Sequence, residues 1–103
     1  MRATALASAA RVAAAQKDTD GAETLYLEAL RLTSQDGVAT YHGRYLFSYG
    51  QVLRRAGRRK EAAARLVSAR EFFTSVNATV MVDLCNQELR ATGMLQYRVP
   101  DAE

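Results

Sequence analysis

The stretch Ala62-Ala63-Ala64-Arg65-Leu66-Val67-Ser68-Ala69-Arg70-Glu71-Phe72-Phe73-Thr74-Ser75-Val76 decides the fold. Ala62, Leu66, Ala69, Phe73 and Val76 advance by four, three, four and three residues, the spacing that puts them on one side of a helix. Forty positions earlier, Ala22, Tyr26 and Ala29 carry the same small–bulky–small order. Small residues let two antiparallel helices approach closely, and the bulky ones fill the seam. Each segment follows another apolar helical stretch, Leu6-Ala9-Ala10-Ala13 in one case and Leu46-Tyr49-Gly50-Leu53 in the other. A unit repeated at this length predicts an array of helical hairpins, an architecture that binds more often than it catalyses.

The rest of the chain agrees. Nearly half of its 103 residues are hydrophobic, alanine supplying much of that share, so the core should be thin and helix-rich. The single proline, Pro100, falls where it interrupts no helix, and no period-two β-branched run appears. The reading is all-α, with five helices near Thr4–Gln16, after Asp20 to Thr33, Val38–Ala56, Arg58–Val76 and Ala78–Ala91. Asp20 with Glu23 reads as a capping box for the second helix, and Ser34-Gln35-Asp36-Gly37 as a turn. Gly57 and Gly93 read as C-cap glycines. The helical domain therefore occupies 1–93, and 94–103 reads as a tail.

The formal net charge is +3, and most of the asymmetry lies in Arg54, Arg55, Arg58, Arg59 and Lys60. Arg54 and Arg55 suit the negative end of the third helix, whereas Arg58, Arg59 and Lys60 open the fourth, where the dipole disfavours them. Two readings follow: a basic patch for an acidic partner or phosphate backbone, or a solvated hairpin tip. No aromatic residue interleaves with the cluster to stack on bases, which favours the tip.

Cys85 is the only cysteine and suits a reducing cytoplasm; it reads as a small core residue of the fifth helix. The N-terminal apolar run stops at Arg11 and is too weakly hydrophobic for an export signal, and no stretch approaches membrane-spanning length. His42 has no nucleophile motif beside it, and one histidine with one cysteine is too few for a metal site. No metal, cofactor or catalytic residue is therefore expected. Tyr41, Tyr45 and Tyr49 recur every four residues, either as a packed stripe or as an exposed anchor for a peptide.

The small–bulky–small spacing, with Leu46, Tyr49, Gly50 and Leu53 before its second copy, resembles the tetratricopeptide (TPR) signature. Leu6 and Leu46 stand where that family usually has tryptophan, and the proline after its second helix is absent. The forty-residue spacing exceeds the family's ordinary repeat of about 34. The segment Gly50 to Ala62, with Ala69, Phe72, Phe73 and Glu88-Leu89-Arg90-Ala91-Thr92-Gly93, is similar to the helical-repeat region of large bacterial LuxR-type transcriptional regulators. The resemblance implies two TPR-like hairpins plus a fifth capping helix, a fragment of a right-handed α-solenoid. The chain would then be an excised segment or a stand-alone relative.

The first helix of each hairpin would line a concave groove bearing Arg11, Arg44, Phe47, Ser48, Gln51 and Arg55. Ala7 and Phe47 stand where the carboxylate-gripping members of the TPR family carry lysine, so the implied groove is a generic one for peptides. The expected role is protein–protein interaction or signal relay, with no chemistry. The partner would be a missing domain, a peptide or a second copy forming a homodimer. The segment lacks both a phosphate-cradling Gly-Lys-Ser/Thr loop and room for a helix-turn-helix, so direct sequence-specific DNA binding is not expected. Two other classes stay open: a basic nucleic-acid module built on Arg54 to Lys60, and a ligand pocket around Tyr41, His42 and Tyr45.

Overall fold

The computed structural model describes residues 2–36 and 39–93. Five helices follow one another, α1 (Arg2–Ala15), α2 (Thr19–Asp36), α3 (Ala39–Arg55), α4 (Arg59–Ser75) and α5 (Thr79–Thr92), and no strand occurs among the described residues. Each helix packs on its neighbours in the chain, and α5 also reaches α3. The tail at 94–103, and Gly37 and Val38 between α2 and α3, lie outside the described residues.

Three of the connections are the same object. In α1–α2 the Lys17 N–H donates to Ala14 O and the Asp18 N–H to Ala13 O. Gly57 and Arg58 donate likewise to Arg54 O and Leu53 O, and Asn77 and Ala78 to Thr74 O and Phe73 O. These paired bonds satisfy the last carbonyls of each helix in a Schellman turn, which requires a left-handed residue at its apex. The apex residues are Lys17 (φ 65°), Gly57 (φ 83°) and Asn77 (φ 59°). Glycine takes this conformation without a Cβ penalty, whereas lysine does not. Lys17→Gly should therefore raise stability by about 0.5–1 kcal/mol, net of glycine's extra chain entropy. A urea midpoint that fell instead would mean that the Lys17 side chain contributes more than the strain it carries.

The structure corrects several local readings. Asp18, not Asp20, caps α2: its Oδ1 accepts the Gly21 N–H at 3.0 Å and its carbonyl the Ala22 N–H. Asp20 lies within the first turn instead, and Glu23 is drawn into a long-range network described below. Ser34, Gln35 and Asp36 continue α2 rather than forming a turn. In α1 the buried residues are Ala7 and Ala10, while Ala9 is exposed. Val76, the last member of the apolar stripe of α4, falls one residue past the helix and is 53% exposed.

The remainder of that stripe is the spine of the fold. Ala62, Leu66 and Ala69 are completely buried, as are Ala22, Ala29 and Ala10. Two glycines set how closely α3 approaches α4. A Cβ at Gly50 would lie 2.7 Å from Leu66 Cγ, and one at Gly43 would lie 2.4 Å from the Phe72 ring. Seven residues apart, they occupy one face of α3 two turns from each other. Tyr26 and Tyr49 stack with centroids 5.6 Å apart, joining α2 to α3 at the middle of the core. Cys85 joins α5 to the core cluster of Tyr26 and Tyr49, and Leu89 joins it to a second cluster with Ala63, Leu66 and Val67, while Val80 and Leu84 on its outer side stay open to solvent.

Candidate binding face

The six residues expected on a groove divide between two environments. Arg11, Ser48, Gln51 and Arg55 line one cavity of about 580 Å³, together with Lys17 and Tyr26. Its walls come from the end of α1, the first connection, α2 and the second half of α3. Ala14, Ala15, Val52 and Ala56 supply apolar surface there. Arg44 is exposed elsewhere on α3, and Phe47 is half-buried, packed against both clusters of core residues. Neither Arg44 nor Phe47 lines the cavity. Ser48, Gln51, Val52 and Arg55 follow the three-and-four spacing of one face; Arg44 continues that face one turn toward the N-terminus, beyond the cavity, and Phe47 is drawn into the core.

Tyr26 was legible as core, and at 1% exposure it is. Its hydroxyl is also shielded from solvent and, among the described residues, makes no hydrogen bond of good geometry. Burial raises its pKa above the usual phenol value, offset in part by the Ser48 hydroxyl and the charges of Arg11 and Arg55. This polar atom on an apolar stripe was not visible as a site feature in the sequence, because spacing predicts burial but not whether a hydroxyl finds a partner.

The basic run from Arg54 to Lys60 is dispersed by its partners. Arg54 Nε pairs with Glu88 Oε1 of α5 at 2.5 Å, and Gln51 Nε2 donates to the other oxygen at 2.9 Å. Arg58 bridges Glu23 of α2 at 2.8 Å and Glu61 of α4 at 2.6 Å. Arg59 Nε donates to Thr92 O at 2.7 Å. Arg55 and Lys60 are exposed. Arg54, Arg58 and Arg59 thus tie helices together, and Arg55 turns into the cavity instead.

Glu23 is the centre of the larger network. The Tyr49 hydroxyl donates to it, and Arg65 lies 5.1 Å over the Tyr49 ring. Arg58 first, then Tyr49, holds the Glu23 carboxyl below its ordinary value of 4.5, and Arg58 does the same to Glu61. Burial alone would raise Glu88, but Gln51 and Arg54 outweigh it and hold that carboxyl low as well. All three have folded-state values below their unfolded ones, so their stabilisation is full above about pH 4.5 and is lost as pH falls through the folded values. Urea midpoints should be flat from neutrality to about pH 5 and drop below pH 4.5, with a smaller drop in Arg58→Gln. Equal midpoints at about pH 6 and pH 3.5 would show that these pairs contribute nothing.

The tyrosine row is split by the fold. Tyr49 and Tyr45 are buried, Tyr45 hydrogen-bonded to Thr4 Oγ1 at 3.1 Å, while Tyr41 is 40% exposed and stacks on Tyr45. His42 Nδ1 is 2.8 Å from Thr33 Oγ1. Cys85 is fully buried, and burial pushes its thiol up to about 11. Among the described residues no cluster of histidine, cysteine and carboxylate side chains could hold a metal ion, and no helix is long and apolar enough to cross a membrane. Comparison with family models, curated proteins and solved structures returns no match to this chain.

Proposed function

We propose that the chain is a non-catalytic, TPR-like helical-repeat domain that recognises a protein or peptide, as the relay segment of a bacterial LuxR-type regulator or as a free adaptor. One observation carries this reading: Arg11 on α1 and Ser48, Gln51 and Arg55 on α3, far apart in the chain, line a single cavity. They belong to the first helix of each hairpin, the face that the resemblance assigns to recognition. Recognition there would rest on shape and charge, since the cavity combines cationic side chains with small apolar ones.

Selection of displayed peptides on the folded chain tests the binding role. Enriched sequences should lose about tenfold or more in affinity on the Arg11→Glu, Arg55→Glu double variant, both sites being exposed enough to keep the fold. Failure to enrich any sequence, or affinities indifferent to those changes, would overturn it. The regulator context is tested by the reading frame flanking this segment. A phosphate-binding loop upstream and a helix-turn-helix downstream support the relay role, and a frame without them leaves the adaptor.

A further inference from the structure

We propose that the cavity between α1, α2 and α3 binds a small phosphomonoester, a phosphate dianion carried on a compact apolar body. The inference rests on the reading above only in taking this cavity as the recognition face. Among the described residues three cations, Arg11, Lys17 and Arg55, line it, and no carboxylate does. Glu88, the carboxylate that touches Gln51 from α5, is already held by Arg54. Positive charge gathered without a counter-charge favours an anionic guest, and a dianion answers three cations better than a single carboxylate can.

Tyr26 is also part of the lining, but 99% of its surface is buried and its hydroxyl is shielded, so the polar contacts to a ligand fall to the three cations, Ser48 and Gln51. Arg guanidinium groups suit phosphate oxygens geometrically, and Lys17 adds a point charge.

Size and lining select the rest of the ligand. A cavity of about 580 Å³ falls in the range of small-molecule sites and is far larger than one phosphate needs. Val52 and the alanines on α1 and α3 offer contact for a ring or short chain. The carbonyl ends of α1 and α3 also lie at this cavity and oppose an anion weakly. Their final carbonyls, however, are occupied by the Schellman bonds, and the N-terminal end of α2 at Thr19 acts in the favourable sense.

Titration calorimetry with phenyl phosphate, inorganic phosphate and benzoate on the whole chain tests the proposal. Phenyl phosphate should bind measurably, inorganic phosphate and benzoate each about tenfold more weakly or not at all, with affinity falling as salt rises. Arg11→Gln with Arg55→Gln should lower phenyl phosphate affinity by about tenfold or more. Lys17→Gly should weaken binding while stabilising the fold, a divergence that a purely structural effect could not produce.

No heat or chemical-shift change with phenyl phosphate at millimolar concentration overturns the proposal, as does affinity unchanged in the arginine double variant. Benzoate binding as tightly overturns the dianion, and inorganic phosphate binding as tightly overturns the apolar body. If phenyl phosphate fails while selected peptides still depend on Arg11 and Arg55, this inference alone falls and the peptide-recognition role stands.

Discussion

Leu66→Ala should lower the stability of the fold by about 3–4 kcal/mol, enough to consume much of what a domain of this size possesses. Leu66 is completely buried, with Gly50 of α3 directly against its branch point and Leu89 of α5 in the same cluster. Removing three carbons loses their transfer free energy and leaves a void that α3, α4 and α5 must all move to close. The midpoint of thermal unfolding should fall by about 15 °C or more, since each kcal/mol is worth roughly 4–8 °C in a domain this small. A loss below about 1 kcal/mol in urea would mean that α3 and α4 slide together to fill the void.

Gly50 is the other half of the same contact, and its substitution should fail in the opposite sense, by overfilling. Alanine there gains about 1 kcal/mol of helix propensity. Its Cβ, however, would sit 2.7 Å from Leu66 Cγ and 2.8 Å from Cδ2, and Leu66 is itself completely buried. The overpacking should cost about 1–3 kcal/mol, so Gly50→Ala should be destabilising despite the better helix former. Gly50→Val, with two more carbons and a β-branch, should lose about 3 kcal/mol or more. Combining Gly50→Ala with Leu66→Ala should be milder than the two losses added together, because the new methyl occupies part of the void. A coupling energy of about 0.5–3 kcal/mol is expected from a double-mutant cycle at such a contact. Strict additivity would place Gly50 away from Leu66 and contradict the described seam.

Most of the positions chosen by period are buried: Ala62, Leu66, Ala69 and Phe73, and likewise Leu46, Tyr49, Gly50 and Leu53, whereas Ala9 and Val76 are exposed. Periodicity reports which side of a helix faces apolar neighbours, and that fact is local to the helix. The errors fell where two local signals competed or where the chain's own ends of helices were at stake. Asp18 and Asp20 both suit an N-cap, and the Schellman turn at Lys17 decided for Asp18, because its backbone bonds leave the Asp18 carbonyl to accept the first helical N–H. Lysine gives no compositional hint of a left-handed turn, so that apex was not visible. Gly43 was missed for a related reason: a lone glycine says that a close approach is permitted, not that the Phe72 ring makes one.

The candidate site shows the same boundary more sharply. The resemblance puts Arg11, Arg44, Phe47, Ser48, Gln51 and Arg55 on one groove; packing brings Arg11, Ser48, Gln51 and Arg55 to one cavity and leaves Arg44 and Phe47 outside it. Arg54 to Lys60 read as one basic cluster since five cations adjoin in the chain. Glu23 and Glu88 come to them from 35 and 34 positions away and divide the cluster into inter-helix ties. The sequence by itself determined an all-helical chain, its apolar faces and its short turns, because propensity, period and turn chemistry act within a few residues. The tertiary structure alone decided which charges are spent on one another, which tyrosine hydroxyl is left without a partner and which cations share a cavity. Those depend on Coulombic and packing contacts between helices, whose partners are set by proximity in space and not along the chain.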